Sequence, residues 1–375
     1  MRVKTASTLV AYPIDHQFAV FNYLTKSAVK CGAEDLRWLT LAPEWIELAE
    51  LALKIETVPL DSVQAVAKDL VDLNLMVEEN SPFAELEASY TSSWKLGRAA
   101  GFLHFLATDN PYFDAHTSVQ GQIEQAKDDP PPQAFWRNSV ASLQLPPPKF
   151  ANNAQVFDVM QSRRTNRFGL PKPIALQQIS NCLKSGLGIT AFVKTKASVL
   201  PLKMTPSGGA RNPYEAFVLA KNVDGLAPGI YHYVAIDHTL AVVNSGIDLP
   251  FSELLAGQDW ADTMPALVIL VATFERTGWK YQNPNAYRVV LIEAGHIAQN
   301  MMLAGTCHGL TVCPTAALTD TKLKTLLGLK APTHAPIYAL GIAHPGVDPD
   351  EVIPLEKYTR LGIQAHVHAS LDAGV

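Results

Sequence analysis

Lys280 and Tyr281 stand side by side in the stretch GWKYQNPNAYRVVLIEAGHIAQN, which runs from Gly278 to Asn300. Both side chains can hold or release a proton, and an ammonium group near a phenol favours the phenolate, the form that accepts a proton. The pair is therefore a candidate for general acid or base catalysis, in a loop that precedes a helix. A surface lysine beside a packed tyrosine is the ordinary alternative for such a dipeptide.

A second candidate is the segment SRRTNRF, in which Arg163, Arg164 and Arg167 surround Thr165. On a helical turn, spacings of three and four residues place Arg163 or Arg164 on the same face as Arg167. These guanidinium groups could converge on a phosphate, with the threonine hydroxyl as a further donor. A solvated basic face is the commoner explanation of three clustered arginines.

A third candidate is TPSGGARNP, where Ser207 is followed by Gly208 and Gly209. Glycine has no Cβ, so the backbone can approach a flat or charged ligand closely and offer it N–H groups. The segment is not a P-loop, because no GKS or GKT follows, and the chain has no GxGxxG fingerprint. A tight turn explains the two glycines equally well.

The elements around these segments alternate between strands and helices. A helix is predicted over Leu176–Gly186, and apolar, β-branched runs bounded by turn residues predict strands. The predicted strands are Glu215–Ala220, Gly229–Ala235, Leu240–Asn244, residues 266–274 and Ala335–Ala343. Such a pattern indicates an α+β or α/β domain, and the short gaps between strands favour antiparallel neighbours within a mixed sheet.

The helix predicted over Tyr287–His308 is apolar on most sides. It must therefore be covered all round, by its own sheet and by a second subunit. His296, Cys307 and His308 have no ligand spacing typical of a metal site, so we expect core histidines with satisfied hydrogen bonds and no metal.

Two proline triplets predict a boundary between domains. They lie in DDPPPQAFWRN and LQLPPPKF, and they suit an extended connector. We expect an N-terminal helical, winged-helix-like domain over residues 1–127, a linker over 128–150 and a second domain over 151–375. In the first domain, helices are predicted over Trp45–Leu53, after Asp61 and over Ser93–Asp109, with a short strand at the sequence LMV.

Composition restricts the partners. The net charge is −5, and residues 31–90 carry thirteen acidic side chains against three basic ones, so a nucleic acid or an anionic membrane would be repelled. The start of the chain lacks the apolar core of a signal peptide, and 266–274 is too short to span a membrane. The four cysteines show no CxxC spacing, and we expect a cytoplasmic enzyme.

Six motifs in order, RRTNRF, PSGGARNP, PGIYHY, FERTGWKY, AYRVVLIEAGHIAQN and HGL…PTAAL, resemble the nitroreductase superfamily. Within it, they are similar to the SagB-type dehydrogenases that mature peptides of the streptolysin S and microcin B17 type. The resemblance covers about Phe157 to Pro345, and the N-terminal helical unit resembles the extension that those dehydrogenases carry. It implies a mixed sheet flanked by helices and FMN bound at the interface of a homodimer.

The resemblance also implies roles for particular residues. Arg163, Arg164, Thr165 and Arg167 would hold the phosphate and ribityl chain of FMN. The isoalloxazine ring would lie along Pro206, Ser207, Gly208 and Gly209, with Arg211 near its polar edge, and would rest on Pro314, Thr315 and Ala316. Lys280 and Tyr281 match the pair to which catalysis is attributed. The family's usual C-terminal lysine or arginine is missing, since only His344 precedes Lys357.

The activity implied is the oxidation of a thiazoline or oxazoline in a ribosomally made peptide to the azole. Hydride would pass to flavin N5 while Tyr281, tuned by Lys280, takes the proton. A precursor peptide and a cyclodehydratase would be the partners. Two alternatives stay open: an NAD(P)H-dependent reductase of dehydroamino acids, nitro groups or enones, and a flavin-free peptide-binding scaffold subunit.

Overall fold

The fold was analysed in a computed structural model, which describes residues 1–55, 58–107, 118–136, 142–149, 154–196 and 198–348. The chain divides into two compact units. The first consists of residues 1–118 and 281–288, and the second of residues 119–280 and 289–375. The division therefore separates Lys280 from Tyr281.

The first unit combines small antiparallel sheets with short helices. Strand β1 lies between β5 and β6 in one sheet, and β2, β3 and β4 form a meander in another. The strands are β1 (Arg2–Thr5), β2 (Leu9–Ile14), β3 (Gln17–Asn22), β4 (Ser27–Cys31), β5 (Ile46–Glu47) and β6 (Met76–Glu78). The helices are α1 (Ala33–Leu41), α2 (Leu48–Ile55), α3 (Leu60–Asp72), α4 (Pro82–Ser93) and α5 (Arg98–Leu106).

The core of the first unit follows from helical periodicity. Val63, Ala67 and Leu70 recur at spacings of three and four on α3, and all three are buried against α2 and β6. The predicted helix over Ser93–Asp109 is wrong at its start. Helix α4 ends at Ser93 and α5 begins at Arg98, because Gly97 between them takes a φ of 83°, which no helix contains.

The second unit is built on an eight-stranded sheet. Its order is β17, β18, β16, β12, β14, β15, β7, with β8 beside β18. The strands of this unit are β7 (Ser142–Gln144), β8 (Gly169–Leu170), β9 (Ile174–Ala175), β10 (Ile189–Lys194), β11 (Val199–Lys203), β12 (Tyr214–Ala220), β13 (Val223–Asp224), β14 (Gly229–Val234), β15 (Thr239–Ser245), β16 (Ala266–Thr273), β17 (Thr311–Thr315) and β18 (His334–Pro345).

Parallel and antiparallel strand pairings both occur in this unit, but in different sheets. All the pairings described in the main sheet are antiparallel, whereas the parallel pairing joins β9 to β13 in a small sheet of its own. Strands β14 and β15 follow one another through a short turn, which permits only antiparallel neighbours.

Helices cover both faces of the main sheet. They are α6 (Val119–Asp128), α7 (Val156–Ser162), α8 (Leu176–Leu187), α9 (Phe274–Lys280), α10 (Asn285–Cys307) and α11 (Asp320–Leu326). Successive side chains of a strand point to opposite faces, so Ala216 and Val218 pack with α8 and α10, while Phe217 packs with α11. Among the described helices, none is both long and apolar enough to cross a bilayer.

The segment predicted to be a linker lies within the second compact unit where it is described. Residues 142–144 form the edge strand β7, which pairs with β15, and the backbone N–H of Trp136 donates to the carboxylate of Glu215 over 2.8 Å. The role of residues 128–150 as a connector stays a prediction.

A buried ion pair fastens β12 to α9. Glu215 is 3% exposed, and its carboxylate accepts hydrogen bonds from Arg276 Nη2 at 2.5 Å and from His232 Nε2 at 3.0 Å. Burial acts to raise the pKa of this carboxyl, but His232 and Arg276 outweigh it and hold the pKa below its usual range. The side chain is therefore a buried carboxylate.

Arg276→Leu should unfold more easily than the wild type. The substitution removes the guanidinium group that pairs with the buried Glu215 carboxylate. We therefore expect the free energy of unfolding to fall by about 3–5 kcal/mol. Urea denaturation measures the change. The control is Lys322→Ala, which breaks an exposed pair with Glu253 and should cost less than about 1 kcal/mol. Equal losses of unfolding free energy in the two variants would contradict the stabilising role of the buried Arg276–Glu215 pair.

Candidate functional site

The segment TPSGGARNP forms a strained turn between β11 and β12. A short 3-10 turn spans Gly208–Ala210, and the backbone φ is positive at Gly209 (60°), Ala210 (53°) and Asn212 (51°). Alanine rarely adopts such angles, so the surroundings must enforce the conformation. One constraint is internal, because the Asn212 backbone N–H donates to Ser207 Oγ over 2.8 Å.

Helix α9 holds the far end of this turn. Arg276 Nη1 donates to the Asn212 carbonyl oxygen over 3.0 Å, and the Arg211 guanidinium carbon lies 5.3 Å from the centre of the Trp279 ring. Thr273, just before α9, donates its N–H to the Pro213 carbonyl over 2.7 Å. Three contacts therefore join this turn, along which the isoalloxazine ring is predicted to lie, to α9 and the residue before it.

A cavity of about 500 Å³ opens beside the turn. Arg211 and Arg276 contribute to its wall, together with Leu200 and residues 131–135. Both arginines are more than nine-tenths buried. The cavity therefore presents cationic side chains next to apolar surface, a combination suited to a flat ligand with polar edges.

Helix α10 packs against the near end of the turn. A Cβ added to Gly208 would lie 2.7 Å from Val289 Cγ1, so the backbone of the turn touches the helix. One helical turn further on, Glu293 is 5% exposed. Burial raises the pKa of Glu293 to about 7, although the nearby Ser207, Lys203 and Gly208 act to lower it.

The arginine segment is not helical, in contrast to the expected helical turn. Helix α7 ends at Ser162, and residues 163–168 are irregular because Asn166 is bonded to β17 rather than to the helix. Arg163 Nη1 donates to Thr165 Oγ1 over 3.4 Å, whereas the Arg164 guanidinium donates to backbone carbonyls of its own segment. The segment is partly exposed.

The arginine segment, residues 163–168, lies beside β17, the strand that contains Pro314. Asn166 exchanges hydrogen bonds with the Thr311 hydroxyl, and its carbonyl accepts from the Cys313 thiol over 2.8 Å. Burial raises the pKa of this thiol, and the hydrogen bond with Thr311 and the charge of Arg167 oppose the shift. Pro314 and Thr315 end β17, and Ala316 follows on the surface.

The contacts thus gather the predicted residues into two groups. One contains Ser207–Arg211 with α9, and in the other Asn166 is bonded to Cys313, the residue before Pro314. Lys280 lies at the end of the first group. The prediction of a loop at position 280 is wrong, since Lys280 is the last residue of α9, and Tyr281 opens the segment that belongs to the first compact unit.

Sequence reasoning missed three buried charged residues near the turn, Glu215, Arg276 and Glu293. For Glu293 a signal was present, because Val290, Ala294 and Ile297 around it mark the buried face of α10.

The histidine expectations had mixed outcomes. His308 Nε2 accepts a hydrogen bond from Asn181 Nδ2 over 2.7 Å, as expected for a satisfied side chain. His296 is exposed, so placing it in the core was wrong; it lies on the outer side of α10. Within the described residues, no group of three or more His, Cys, Asp or Glu side chains could hold a metal ion. Lys357 falls outside the described residues.

Comparison with known proteins identifies this architecture. The model of the nitroreductase family matches residues 160–344. McbC of Escherichia coli, named as the microcin B17-processing protein, is 31% identical over 198 residues, which are 49% of this chain and 70% of McbC. The chain belongs to the nitroreductase family. The resemblance inferred from the six motifs is confirmed.

Two further nitroreductase-family proteins are similar. MJ1384 of Methanocaldococcus jannaschii, named as a nitroreductase, is 28% identical over 174 residues, 46% of this chain and 84% of its own length. A crystal structure from Anabaena variabilis matches at a TM-score of 0.50 and 20% identity. That match covers 70% of this chain but only 53% of the other, and it confirms the fold alone.

Gly208→Ala should destabilise the protein, because the new methyl group would meet Val289 Cγ1 at 2.7 Å. We expect a loss of about 1–3 kcal/mol in the free energy of unfolding, reduced when Val289→Ala is present as well. Thermal denaturation of the double-mutant cycle measures this coupling. Gly278→Ala is the control, since a Cβ there meets nothing within 4 Å. Additive losses would contradict the predicted contact.

The pKa of Glu293 predicts a dependence of stability on pH. Since burial raises this pKa from 4.5 to about 7, the folded chain holds the proton more tightly than the unfolded chain. The resulting stabilisation is complete below the unfolded value and is lost as pH rises through the folded one. Relative to Glu293→Gln, the wild type should lose about 3 kcal/mol between about pH 4.5 and pH 8. Urea denaturation of both proteins at several pH values measures this loss. The same pH dependence of the unfolding free energy in both would contradict the prediction.

Proposed function

We propose that the protein is an FMN-dependent dehydrogenase that oxidises azolines to azoles in a ribosomally made peptide. The residues fit FMN by their chemistry. Arg163, Arg164 and Arg167, with Thr165, form a partly exposed basic segment suited to a phosphate and a polyol chain. The cradle for the isoalloxazine ring would consist of Pro206, Ser207, Gly208, Gly209 and Arg211 on one side and Pro314, Thr315 and Ala316 on the other.

The junction between the glycine turn and α9 carries the proposal. Arg276 binds the Asn212 carbonyl, and Arg211 lies over Trp279, the residue before Lys280. A ring seated along the turn would therefore have the end of α9 as its neighbour. Lys280 and Tyr281 follow at that end, which supports their assignment as the catalytic pair.

The chain's own residues would supply proton transfer. Oxidation of an azoline removes one hydrogen as hydride and a second as a proton. When bound, FMN supplies the hydride acceptor at N5. Tyr281 would take the proton as general base, with Lys280 as the second member of the catalytic pair. The apolar wall of the cavity beside Arg211 would limit water at the reacting atoms.

The partners follow from the same proposal. McbC is named as a peptide-processing protein. We therefore infer a precursor peptide as substrate and a cyclodehydratase, the enzyme that makes azolines, as a neighbour. A homodimer is supported by the outer side of α10, where Leu291 is 38% and Ile292 53% exposed. The predicted N-terminal domain, residues 1–127, would bind the precursor peptide.

The first experiment is the absorption spectrum of the purified protein, with release and identification of the chromophore. We expect a flavin band and about one FMN per chain. A colourless protein that takes up no added FMN would overturn the proposal and leave the flavin-free scaffold as the explanation.

Substitution of the pair tests the chemistry. On an azoline peptide, Tyr281→Phe should lower kcat by about 10²- to 10⁴-fold, because the phenol oxygen that accepts the proton is removed. Lys280→Ala should lower kcat as well, but by less, because the proposed base is retained. FMN content, measured by absorbance, should match that of the wild type. Unchanged rates in both variants would exclude these roles.

The direction of electron flow is tested separately. NADPH oxidation stimulated by an enone, nitro compound or dehydroamino acid, without turnover of azoline peptides, would favour the reductase alternative. Azole formation with consumption of oxygen and no need for NADPH would favour the dehydrogenase.

A further inference from the structure

We propose that Trp279 is a positioning residue, which fastens residues 131–135 as one wall of the cavity beside the glycine turn (Ser207–Asn212). Trp279 lies in the motif FERTGWKY, one residue before Lys280, and is 7% exposed. Under the proposed function, this wall is the surface that an azoline peptide meets beside the flavin. The identity of the ligand rests on that function, whereas the fastening of the wall rests on contacts within the chain.

One end of the wall is bonded to Trp279. The indole Nε1–H of Trp279 donates to the backbone carbonyl of Asp129 over 2.8 Å, across 150 residues of sequence. Gln125 on α6 reinforces this joint, because its Nε2 donates to the Trp279 carbonyl over 3.0 Å and to the Asp129 carboxylate over 3.2 Å. Three hydrogen bonds therefore link Gln125, Asp129 and Trp279.

The other end of the wall is fixed to the main sheet. The Trp136 backbone N–H donates to the buried Glu215 carboxylate over 2.8 Å. The centre of the Trp136 ring lies 4.8 Å from that of His334 and 6.2 Å from that of Phe217. The chain between Asp129 and Trp136 is consequently held at both ends.

The chain between these two ends is stiff and poor in hydrogen-bond donors. Residues 130–132 are three prolines, which restrict φ and have no N–H. Residues 131–135 line the cavity of about 500 Å³ that Arg211 also lines, and four of the five are apolar. Because a proline-rich segment behaves as a semi-rigid spacer, the release of one end should displace the whole wall.

Trp279 also contacts the glycine turn. The Arg211 guanidinium carbon lies 5.3 Å from the centre of the Trp279 ring, which is a cation–π distance. The indole therefore has two roles that substitution can separate: its N–H holds the wall, and its ring supports Arg211. Trp279→Phe removes the N–H and keeps an aromatic ring.

The first test needs neither flavin nor substrate. Hydrogen exchange is measured on the full-length wild type, Trp279→Phe and Trp260→Phe. The last is the matched control, because Trp260 Nε1 also donates one hydrogen bond, to Gln258 Oε1 over 3.1 Å, and packs on the α11 side of the sheet. In Trp279→Phe, loss of one hydrogen bond should make exchange about 3–10-fold faster at Asp129 and residues 133–135, which flank the prolines.

Trp260→Phe should keep wild-type exchange at these positions. Unchanged exchange there in Trp279→Phe would overturn the proposal. Equal acceleration across the whole second unit would overturn it as well, because Trp279 would then have only a general structural role.

The second test is steady-state kinetics on an azoline peptide with the FMN-loaded proteins. In Trp279→Phe, KM should rise about 3–10-fold because the wall is displaced, while kcat stays within about twofold because Lys280 and Tyr281 are retained. Trp279→Ala, which also removes the ring beside Arg211, should raise KM further. Wild-type KM in Trp279→Phe would overturn the proposal, as would a loss of kcat alone.

Gln125→Leu tests the same joint from the other side. It removes both hydrogen bonds of the Gln125 amide at similar side-chain size, so KM should rise for the same reason. If Gln125 and Trp279 hold one wall, Gln125→Leu combined with Trp279→Phe should raise KM by less than the product of the two single effects. An increase equal to the full product would overturn the shared joint.

Failure of the wild type to form an azole would overturn the proposed function instead. The exchange measurement would still decide whether Trp279 fastens residues 131–135, because it uses the free protein and depends on no ligand.

Discussion

The buried carboxylate of Glu215 is the interaction on which the second unit depends. It lies on β12 and accepts from His232 on β14, Arg276 on α9 and the backbone N–H of Trp136. A buried carboxylate without donors would be costly, so these elements must keep their relative positions for it to remain ionised. Arg276 extends the constraint to the Asn212 carbonyl, and through it to the glycine turn.

Two buried carboxyl groups in this unit differ in their partners. Glu215 on β12 has enough donors to keep its pKa below the usual range, whereas burial raises the pKa of Glu293 on α10 to about 7. The turn to which Arg276 is bonded has positive φ angles at Ala210 and Asn212, and strained backbone of this kind is a common feature of binding sites.

Much of this was accessible from sequence. Strands β12, β14, β15, β16 and β18 were predicted within one or two residues, because each is a β-branched or aromatic run bounded by turn residues. The order of the motifs also indicated the family. The irregular course of residues 163–168 was not accessible, since it is set by bonds from Asn166 to β17, far along the chain. Lys280 was predicted to lie in a loop, yet it is the last residue of α9, a short helix that includes Gly278.

The interruption of the second unit between residues 280 and 289 has a consequence for how the chain can be divided. A single cut near residue 118 would release residues 1–118 but leave the other eight residues of the first unit, Tyr281–Arg288, covalently attached to the second. Expression of residues 119–375 alone would therefore include these eight residues, directly after Lys280. Lys280 and Tyr281, the proposed catalytic pair, belong to different units, so neither unit taken alone contains both residues.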